Sequence, residues 1–474
     1  MDRHSELTNF IWTIADLLRH DYKPSDYGKV ILPLTVLRRL DNVLEPTKDK
    51  VLAEYEQYKD TIDNIGPILE NAAGQSFYNT SKYNFEKLLA DPTNVADALR
   101  SYIGGFSPNA FQLIEKFDFL PHIAKLDEAN LLYLVLQRFS QIDLHPDTIS
   151  NVQMGYIYEE LIRRFSEQSN ETAGEHFTPR EVIRMMVNLL FIEDDDLLRH
   201  KGVVRTLYDP ACGTGGMLSV AERHLRDLNP DARLELYGEE INPETYATCV
   251  SDMMLKGHDT GNIIFGNTFT NDGLASNRFD YMLCNPPFGV DWKKYKKPIE
   301  DEHDQLGFNG RFGAGTPRVS DGSLLFLQHM IARMKDTEQG GARLAIVFNA
   351  SPLFSGSAGS GESEIRRWII ENDRLEAVVA LPDELFYNTG ISTYVWVLSN
   401  RKRPERKGKV QLIDARTFFH KMRKSLGNKR KELSDDDIAR ITRLYGDFAE
   451  TRESKIFHNE YFGYRRIVVA VAVG

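Results

Sequence analysis

The sequence predicts an all-helical amino-terminal domain followed by an α/β domain with an open, mostly parallel sheet. Two observations support this division. As far as about Phe165, apolar residues recur at helical spacing and strand-like runs are few. After the polar stretch at residues 166–174, short apolar runs alternate with helical ones, a pattern typical of strands joined by crossover helices. We therefore expect a helical domain at residues 1–166, an α/β domain at residues 167–400, and a basic segment with a helical tail at residues 401–474.

Amphipathic helices account for the predicted amino-terminal domain. One is indicated by apolar residues at roughly helical spacing, namely Leu32, Leu34, Leu37, Leu40 and Val43. Two more are indicated by NLLYLVLQRF, which begins at Asn130, and MGYIYEELIRRF, which begins at Met154. A helical domain of this kind carries no evident chemistry, so we expect it to serve packing and contacts with partners.

The α/β domain is indicated by seven short apolar runs, in chain order VRTLYDP, LELYGEE, NIIFGN, FDYMLCNPP, RLAIVFN, LEAVVALP and TYVWVLS. In open α/β sheets ligands bind at the carboxyl ends of the strands, so functional residues are expected just after these runs. Two long loops, residues 289–322 and 355–363, are expected to be lids or flexible binding elements.

Composition narrows the class of protein. The 474 residues are 42% apolar and include three cysteines, Cys212, Cys249 and Cys284, which are far apart and in no metal-like pairing. This argues against a disordered chain, a disulfide framework or a zinc site, and we expect no bound metal. The sequence has no apolar run long enough to cross a bilayer and no signal-peptide pattern, so we expect a cytoplasmic protein without membrane contact.

The charge of the chain is unevenly distributed. The net charge is −11, yet residues 401–431 hold 13 Lys and Arg against two acids, Glu405 and Asp414. Lys and Arg that neutralise phosphates supply much of the affinity for nucleic acids. The basic run is therefore either a solvated surface or a nucleic-acid contact. The overall acidity is compatible with a partner subunit that supplies much of the grip on such a substrate.

A glycine-rich turn, Asp209-Pro-Ala-Cys-Gly-Thr-Gly-Gly, follows the first predicted strand. Gly213, Gly215 and Gly216 allow a sharp turn and a close approach of the backbone to a ligand. The next helix offers free amides at its start, and Asp209 can engage a cationic or hydroxyl-bearing group. The turn lacks the Gly-x-Gly-x-x-Gly order of a dinucleotide site and the Gly-Lys-Ser/Thr of a triphosphate site, which disfavours a dehydrogenase or an ATPase.

Two acidic residues, Glu239 and Glu240, end the second predicted strand within Tyr237-Gly-Glu-Glu-Ile-Asn-Pro. A carboxylate at this place can hydrogen-bond both hydroxyls of a ribose. Strand alternation alone does not decide between the two residues.

The sequence Asn285-Pro-Pro-Phe follows the strand-like run FDYMLC. Its prolines, Pro286 and Pro287, lack backbone donors and fix the chain at the end of the strand. The Asn285 side-chain oxygen and the Pro286 carbonyl can then accept hydrogen bonds from one planar amino group, leaving the nitrogen lone pair available to attack a methyl group. Phe288 can stack on a base that has left its duplex. An ordinary Pro-Pro turn is the alternative, and the glycine turn upstream favours the functional interpretation.

A fourth motif, GEHFTPREVI, precedes the glycine turn and begins at Gly174. Its Thr178 is expected to cap a helix, with Pro179 at the first helical position and Glu181 three residues after Thr178. A purely structural role in capping is one interpretation. The other is that residues 175–180 close over a bound cofactor.

The motifs GEHFTPR, DPACGTGG, YGEEINPETY and NPPFG occur in the order found in one known family. With them, most of the chain, as far as about Tyr464, resembles the modification subunit of a type I restriction–modification system. That family consists of adenine N6 methyltransferases with a Rossmann-like, S-adenosylmethionine-dependent domain. Site-specific transfer of a methyl group to the N6 amine of adenine in double-stranded DNA is therefore the expected function.

The resemblance also implies roles for individual residues. Those implied to hold S-adenosylmethionine are Glu175, His176, Phe177, Thr178, Pro179, Arg180, Asp209, Gly213, Thr214, Gly215, Gly216, Glu240 and Asn267. Those implied to hold and activate the target base are Asn285, Pro286, Pro287 and Phe288. The family pattern favours Glu240 over Glu239 as the ribose ligand, and it brings Asn267 close to the adenine of the cofactor. The mechanism implied is base flipping and direct transfer, with no covalent intermediate.

The family pattern also implies partners. Two modification subunits commonly work with one separate specificity subunit that selects the DNA sequence, and restriction subunits sometimes join them. The final Ala-Val-Ala-Val-Gly of this chain departs from the polar, proline-containing continuation expected in the family, which places any contact made by a longer tail in question.

Other functions share parts of the pattern. An Asn-Pro-Pro-aromatic motif also serves methyltransferases that act on a glutamine amide in protein or a guanine amine in RNA. Cytosine amine methylation more often has serine in place of Asn285. Carbon-5 methylation of cytosine needs a cysteine nucleophile after a proline, whereas Cys284 precedes the prolines. A non-catalytic, cofactor-binding scaffold is a further alternative, and the intact Asn285 argues against it.

Overall fold

The computed structural model describes residues 3–23, 26–150, 178–194, 198–256, 258–387, 389–426 and 428–465, with single positions 153, 154, 157, 161 and 164. The chain forms two compact units. The first comprises Met1–Gly174, Gly213–Gly215 and Asn242–Phe265, and the second comprises Glu175–Cys212, Gly216–Ile241 and Gly266–Gly474. The domain boundary expected at residue 166, the final residues 466–474 and most of the helix expected from Met154 lie outside the described residues.

Helices dominate the first unit. They are α1 (Arg3–Leu18), α2 (Gly28–Leu44), α3 (Lys48–Tyr58), α4 (Gly66–Ala73), α5 (Phe85–Leu88), α6 (Val95–Gly104), α7 (Pro108–Lys116), α8 (Leu120–Glu128), α9 (Leu132–Ser140) and α12 (Pro243–Leu255). The short strand β3 (Ile263–Phe265) also belongs to this unit. Among the helices described, none is both long and apolar enough to cross a membrane.

Helix α2 lies at the centre of the first unit, because nearly all of its side chains are buried. The apolar residues that predicted it are all in the core: Leu32, Leu34, Leu37, Leu40 and Val43. The buried polar residues of α2 have partners, as burial requires. The Arg39 guanidinium donates to the Ile149 carbonyl at 2.7 Å, and the Asp41 carboxylate accepts from the Tyr102 hydroxyl at 2.9 Å. The predicted helical unit is therefore confirmed.

A twisted sheet organises the second unit. Its strands are β1 (Val204–Asp209), β2 (Arg233–Glu240), β4 (Tyr281–Cys284), β5 (Arg343–Asn349), β6 (Leu375–Ala380), β7 (Thr393–Ser399), β8 (Lys409–Asp414) and β11 (Ser454–His458). They lie in the order β11-β8-β6-β7-β5-β4-β1-β2. The pairs β2–β1, β1–β4, β4–β5 and β6–β8 are parallel, whereas β7 is antiparallel to both β5 and β6. The predicted open, mostly parallel sheet is confirmed, and the structure adds antiparallel pairing of β7 and β11.

The segment after residue 400 differs from the expected basic segment and helical tail. Strands β8 and β11 extend the sheet, and β9 (His420–Leu426) with β10 (Lys429–Glu432) forms a separate hairpin. Helix α17 (Asp435–Asp447) follows, begun by a capping box between Ser434 and Asp437. Alternating charged and apolar residues hid these strands from sequence analysis.

The remaining helices of the second unit pack around this sheet. They are α10 (Arg180–Phe191), α11 (Gly216–Leu228), α13 (Lys296–Leu306), α14 (Ser323–Ala332), α15 (Ser351–Phe354) and α16 (Gly361–Glu371). A buried polar cluster joins β5, β6 and α17, in which Arg343 donates to Glu376 at 2.9 Å and to the Tyr445 hydroxyl at 2.6 Å. Burial alone would raise the pKa of Glu376, but the charge of Arg343 holds that pKa below its ordinary value.

Candidate active site

Three predicted polar residues lie at the carboxyl ends of neighbouring strands. Asp209 ends β1, Glu240 ends β2, and Asn285 directly follows β4, and these strands are adjacent and parallel in the order β2-β1-β4. Adjacent strands are about 4.8 Å apart, so the set spans about 10 Å along this edge. The topology therefore brings together side chains that are 76 residues apart in the sequence (209 to 285).

The Asp209 carboxylate is buried and accepts a hydrogen bond from the Ala211 amide at 3.0 Å. Burial raises its pKa to about 7, and the negative charge of Glu240 adds to that shift, while the Ala211 amide and the Cys284 thiol oppose it. Burial likewise raises the pKa of the Cys284 thiol, with the Asp209 charge as the second cause. Cys284 is therefore a buried neutral neighbour of the carboxylate, and its thiol is not poised as a nucleophile.

The raised pKa of Asp209 makes a prediction about stability. The folded pKa of about 7 lies above the ordinary value of 3.8, so ionisation of Asp209 opposes folding. Its contribution to stability is complete below pH 4, declines as the pH rises to 7, and is then constant. Asp209→Asn should therefore raise the Tm of the ligand-free chain relative to wild type by an amount that grows between pH 4 and pH 7. Differential scanning calorimetry across this range measures it, and a difference in Tm that is independent of pH would contradict the assignment.

The glycines of the turn have backbone conformations that exclude other residues. Gly213 and Gly215 have φ values of 53° and 80°, in the left-handed region that favours glycine. A Cβ at Gly215 would also lie 2.8 Å from the Cys249 sulfur. Thr214 lies between them, and Gly216 begins α11. Glycine at these places thus keeps the turn tight and its backbone amides accessible to a ligand.

The two acidic residues at the end of β2 have different surroundings. The Glu239 carboxylate accepts from the Tyr208 hydroxyl at 2.7 Å and from the Gly273 amide at 2.9 Å. Burial raises the pKa of Glu239 above its ordinary value. Glu240 is also buried, and its charge acts on Asp209 instead. Glu239 therefore serves internal structure, while Glu240 lies beside the predicted cofactor residues.

Asn267 lies in a turn held against the ends of β1 and β2. Its side-chain oxygen accepts from the Phe269 amide at 2.9 Å and the Thr270 amide at 3.2 Å. On either side, the Gly266 amide donates to the Glu240 carbonyl at 3.0 Å and the Thr268 hydroxyl donates to the Pro210 carbonyl at 2.6 Å. These bonds fix the turn beside Asp209 and Glu240.

The Asn285 side chain has a buried acceptor with no partner. Its Oδ1 atom is inaccessible to solvent and accepts no hydrogen bond from any residue that the structure describes. A buried unpaired oxygen costs about 1–3 kcal/mol, so such an atom at the end of a strand calls for a ligand that donates to it. Pro286 is buried, whereas Pro287 and Phe288 are half-buried.

Phe288 contacts an aromatic residue that sequence analysis did not identify. Its ring meets the buried Phe386 ring edge-on, with centroids 6.2 Å apart. Phe386 lies in the loop between β6 and β7, where Glu384 adopts a φ of 55° that non-glycine residues rarely have. No local motif marks Phe386, so only the folded chain reveals the pair.

The motif before the glycine turn is only partly described. Glu175, His176 and Phe177 lie outside the described residues. The predicted capping by Thr178 is wrong, because α10 begins at Arg180 with Pro179 as its N-cap, and the Val182 and Ile183 amides bond the Pro179 carbonyl. Glu181 pairs with Lys429 rather than with the helix start. The Glu181 carboxylate therefore forms an ion pair with a residue that is distant in the sequence.

The long segment at residues 289–322 is a folded insertion rather than an open loop. It contains α13 and contributes to a small core of Phe269, Trp292, Ile299, Phe312 and Leu325. Phe269 comes from the Asn267 turn, so the insertion packs on the segment next to the predicted cofactor residues. The second expected loop is short, because α16 already begins at Gly361.

Arg311 fastens this insertion to the Asn267 turn. Its guanidinium donates to the Thr268 and Phe269 carbonyls, both at 2.8 Å, and forms an ion pair with Glu302 at 2.6 Å. It also lies 3.3 Å from the buried His329 ring, whose other nitrogen is 2.9 Å from the Tyr208 hydroxyl. A chain of polar contacts therefore runs from the insertion to the end of β1.

Replacing Arg311 is expected to loosen both the insertion and the cofactor turn. Arg311→Met removes the guanidinium from Glu302, which keeps the backbone amide of residue 311 at 2.6 Å, and from two carbonyls, and loss of such a partner costs about 3 kcal/mol when the pair is buried. We expect cleavage by protease within residues 289–322 and about tenfold weaker binding of S-adenosylmethionine. Arg318→Met removes a half-exposed arginine of the same insertion and is the control. Limited proteolysis and calorimetry report the two effects, and unchanged values for both in Arg311→Met would refute the coupling.

A cavity of about 590 Å³ lies elsewhere in the second unit. Its walls come mainly from β6, β7, β8 and α16, with Tyr394, Trp396 and Phe457 among the lining residues. No residue predicted for the active site belongs to its described lining, so this cavity is separate from the strand ends described above.

An open, mostly parallel sheet with a glycine turn, an acidic strand end and an Asn-Pro-Pro-Phe sequence defines a methyltransferase of the Rossmann-like class. Comparison with known proteins extends this. Residues 150–461 match the family model described as N-6 DNA Methylase, and residues 7–139 match the model described as HsdM N-terminal domain. The chain belongs to the N-6 DNA methylase family. It is a methylase subunit of the type I restriction–modification kind, an N6-adenine DNA methyltransferase.

Individual relatives agree with this assignment. The chain is 27% identical over 467 residues to the type I restriction enzyme MjaIX methylase subunit of Methanocaldococcus jannaschii, covering 92% of this chain and 77% of that protein. It is 30% identical over 299 residues to the HindI methylase subunit of Haemophilus influenzae, covering 61% and 59%. A crystal structure of a type I methyltransferase subunit from Streptococcus thermophilus has the same fold, with a TM-score of 0.74, 24% identity and 96% of each chain covered.

Proposed function

We propose that this chain binds S-adenosylmethionine across the carboxyl ends of β2, β1 and β4 and presents the N6 amine of a flipped adenine to the methyl group at Asn285. The observation that carries this proposal is the buried Asn285 Oδ1 atom, to which no described residue donates a hydrogen bond. A planar amine would supply such a donor.

The cofactor is assigned to the residues around the glycine turn. Glu240 would hold the ribose hydroxyls, because the Glu239 carboxylate is already bonded to Tyr208 and Gly273. The Asn267 turn would border the adenine, and Gly213, Thr214, Gly215 and Gly216 would bring backbone amides close to the ligand. Asp209 would face the cationic amino acid end, where a positive charge favours its ionised form. The span of about 10 Å from β2 to β4 suits an extended nucleoside with its methionine.

The segment before α10 is assigned to the methionine end of the cofactor. The residues proposed are Glu175, His176, Phe177, Thr178, Pro179 and Arg180. Support comes from the family motif that they form and from the place of Pro179 and Arg180 at the start of α10, in the same unit as Asp209 and Glu240.

The protein's part in the reaction is to hold and polarise the amine. The bound cofactor supplies an electrophilic methyl group. Asn285 Oδ1 and the Pro286 carbonyl would accept the two amine hydrogens, which directs the nitrogen lone pair toward that methyl group. The amine would take up that methyl group with its lone pair, the sulfur would keep the electrons of its broken bond to the methyl carbon, and a proton would then pass from the nitrogen to water. Positioning and fixed dipoles would supply most of the rate, and no strong general base is required.

The aromatic pair would hold the flipped base. Phe288 would stack on one face of the adenine, and its edge-on contact with Phe386 would keep the Phe288 ring from rotating away. Extrusion of the base from the duplex is needed because its amine is otherwise inaccessible to a protein-bound methyl donor.

The chain is proposed to act in a complex in which two copies join one specificity subunit, with restriction subunits in some assemblies. Its net charge of −11 supports this division, because a separate basic subunit would supply much of the contact with DNA. The test is methyl transfer from labelled S-adenosylmethionine to mixed DNA, with and without the co-encoded specificity subunit. Label in DNA only when that subunit is present supports the division of labour. Equal label in its absence contradicts it.

A further inference from the structure

Most of the basic run at residues 401–431 is neutralised within the fold. Several of its cations pair with acidic residues of other segments, namely Arg401 with Asp194, Lys402 with Asp373, Arg403 and Arg406 with Glu193, Lys429 with Glu181, and Lys431 with Asp383. Arg416 pairs with Asp414 within the run. These ion pairs reduce the net positive charge that the run presents to solvent.

Lys421 and Arg423 are different. Both are exposed on β9, and among the described residues no carboxylate forms an ion pair with either. Being two residues apart on a strand, they point to the same face of the hairpin. Lys431 lies directly opposite Lys421 on β10. The Lys431 ammonium is held by Asp383 and Glu384, so the positive charge that this face presents to solvent comes from Lys421 and Arg423.

The hairpin is fixed to the loop that carries Phe386. The Asn428 amide donates to the Tyr387 carbonyl at 2.8 Å, and the Arg430 and Lys431 amides donate to the Glu384 carbonyl at 2.9 and 3.2 Å. The buried Lys429 ammonium donates to the Leu385 carbonyl at 3.1 Å. Because Phe386 contacts Phe288, a rigid path of few residues connects the cationic face to the Asn285-Pro-Pro-Phe sequence.

We propose that the face of the β9–β10 hairpin formed by Lys421 and Arg423 binds the phosphate backbone of DNA next to the adenine that enters the site. Arg430 of the same hairpin is 68% exposed, and Glu384 at 3.6 Å partly offsets its charge. The proposal rests on the proposed function, since it takes duplex DNA as the substrate. Charge complementarity and the connection to Phe288 favour phosphate over an acidic protein surface. Lys421 and Arg423 would give this acidic chain a cationic contact with DNA close to the target base, where the position of the DNA strand matters most.

The experiment measures DNA affinity by fluorescence anisotropy between about 50 and 300 mM KCl. It uses the complex of the full chain with its specificity subunit, saturating S-adenosylmethionine, and a duplex that the complex methylates. The test variant is Lys421→Gln with Arg423→Gln. The matched control is Lys201→Gln with Lys407→Gln, which removes the same amount of charge from two exposed positions. These positions precede β1 and β8, whereas the site residues lie at the carboxyl ends of the strands.

The test variant is expected to reduce the slope of log affinity against log salt by about 2, and to weaken binding at 150 mM salt roughly 10- to 100-fold. Affinity for S-adenosylmethionine and assembly with the specificity subunit should not change, and the control should keep the wild-type slope. The exchange Lys421→Arg with Arg423→Lys should also keep it. An unchanged slope in an intact complex overturns the proposal. So does loss of assembly in the test variant alone, because the hairpin would then contact protein.

The two proposals fail in distinguishable ways. In one case the wild-type complex methylates adenine, but the hairpin variant has the same salt slope as wild type. That result refutes only the phosphate contact. A wild-type complex that binds DNA but never methylates adenine refutes the proposed function.

Discussion

Asn285→Ala is expected to lower kcat for methyl transfer by about 10³-fold while changing the Kd for S-adenosylmethionine less than threefold. The expected loss corresponds to removal of one preorganised polar group that acts in the transition state. Asn285 Oδ1 has no hydrogen-bond partner in the part of the chain that the structure describes, so its removal relieves a buried unsatisfied atom and should not lower the Tm. Single-turnover kinetics with labelled cofactor and calorimetric titration measure the two quantities.

Two further variants sharpen this prediction. Asn285→Ser keeps a short side-chain oxygen at the strand end and should retain part of the activity, since amine methyltransferases acting on cytosine use serine there. Asn372→Ala removes an asparagine from the exposed carboxyl end of α16 and should behave as wild type. Wild-type kcat in Asn285→Ala would remove the target base from this site altogether.

Glu240→Ala is expected to weaken S-adenosylmethionine binding by about 100-fold. Two hydrogen bonds from ribose hydroxyls to a carboxylate account for this loss, at about 1.5 kcal/mol each. Isothermal titration of the full chain provides the Kd, and competition with S-adenosylhomocysteine should show the same loss because both ligands share the ribose.

The neighbouring Glu239 supplies the matched variant. Glu239→Ala leaves the Tyr208 hydroxyl and the Gly273 amide without their acceptor inside the core, so its main effect should be a Tm lower by several degrees. In the opposite outcome, Glu239→Ala would be stable but would not bind the cofactor, and Glu240→Ala would bind it normally. That outcome would reverse the assignment of the two carboxylates.

Local pattern was sufficient for the core of the fold. Each of the seven apolar runs became a strand, and β4 to β7 are buried along nearly their whole length, as a strand covered on both faces is. The later strands could not be found in this way. In β8 and the hairpin, charged residues hide the period, and the buried Lys429 of β10 pairs with Glu181, which is more than 200 residues away. Ion pairing over that distance has no local signature.

Parts of the site were predictable for a similar reason. The glycine turn, the acidic strand end and Asn285-Pro-Pro-Phe follow strands whose order was inferred, so their convergence followed from topology. The choice between Glu239 and Glu240 needed the partners Tyr208 and Gly273. Phe386 and Arg311 were missed because each acts through contacts with segments distant in sequence. The insertion was taken for a loop because α13 is mostly polar and buries only Ile299.

The most direct measurement of the central claim is the chemical identity of the methylated product. The full chain with its specificity subunit is incubated with labelled S-adenosylmethionine, duplex DNA, RNA and protein together, and the label is then located by nucleoside and amino acid analysis. We expect label in N6-methyladenine from DNA, and loss of that label with Asn285→Ala. Label in a guanine of RNA or in a glutamine of protein, with DNA unlabelled, would contradict the account while leaving the fold intact.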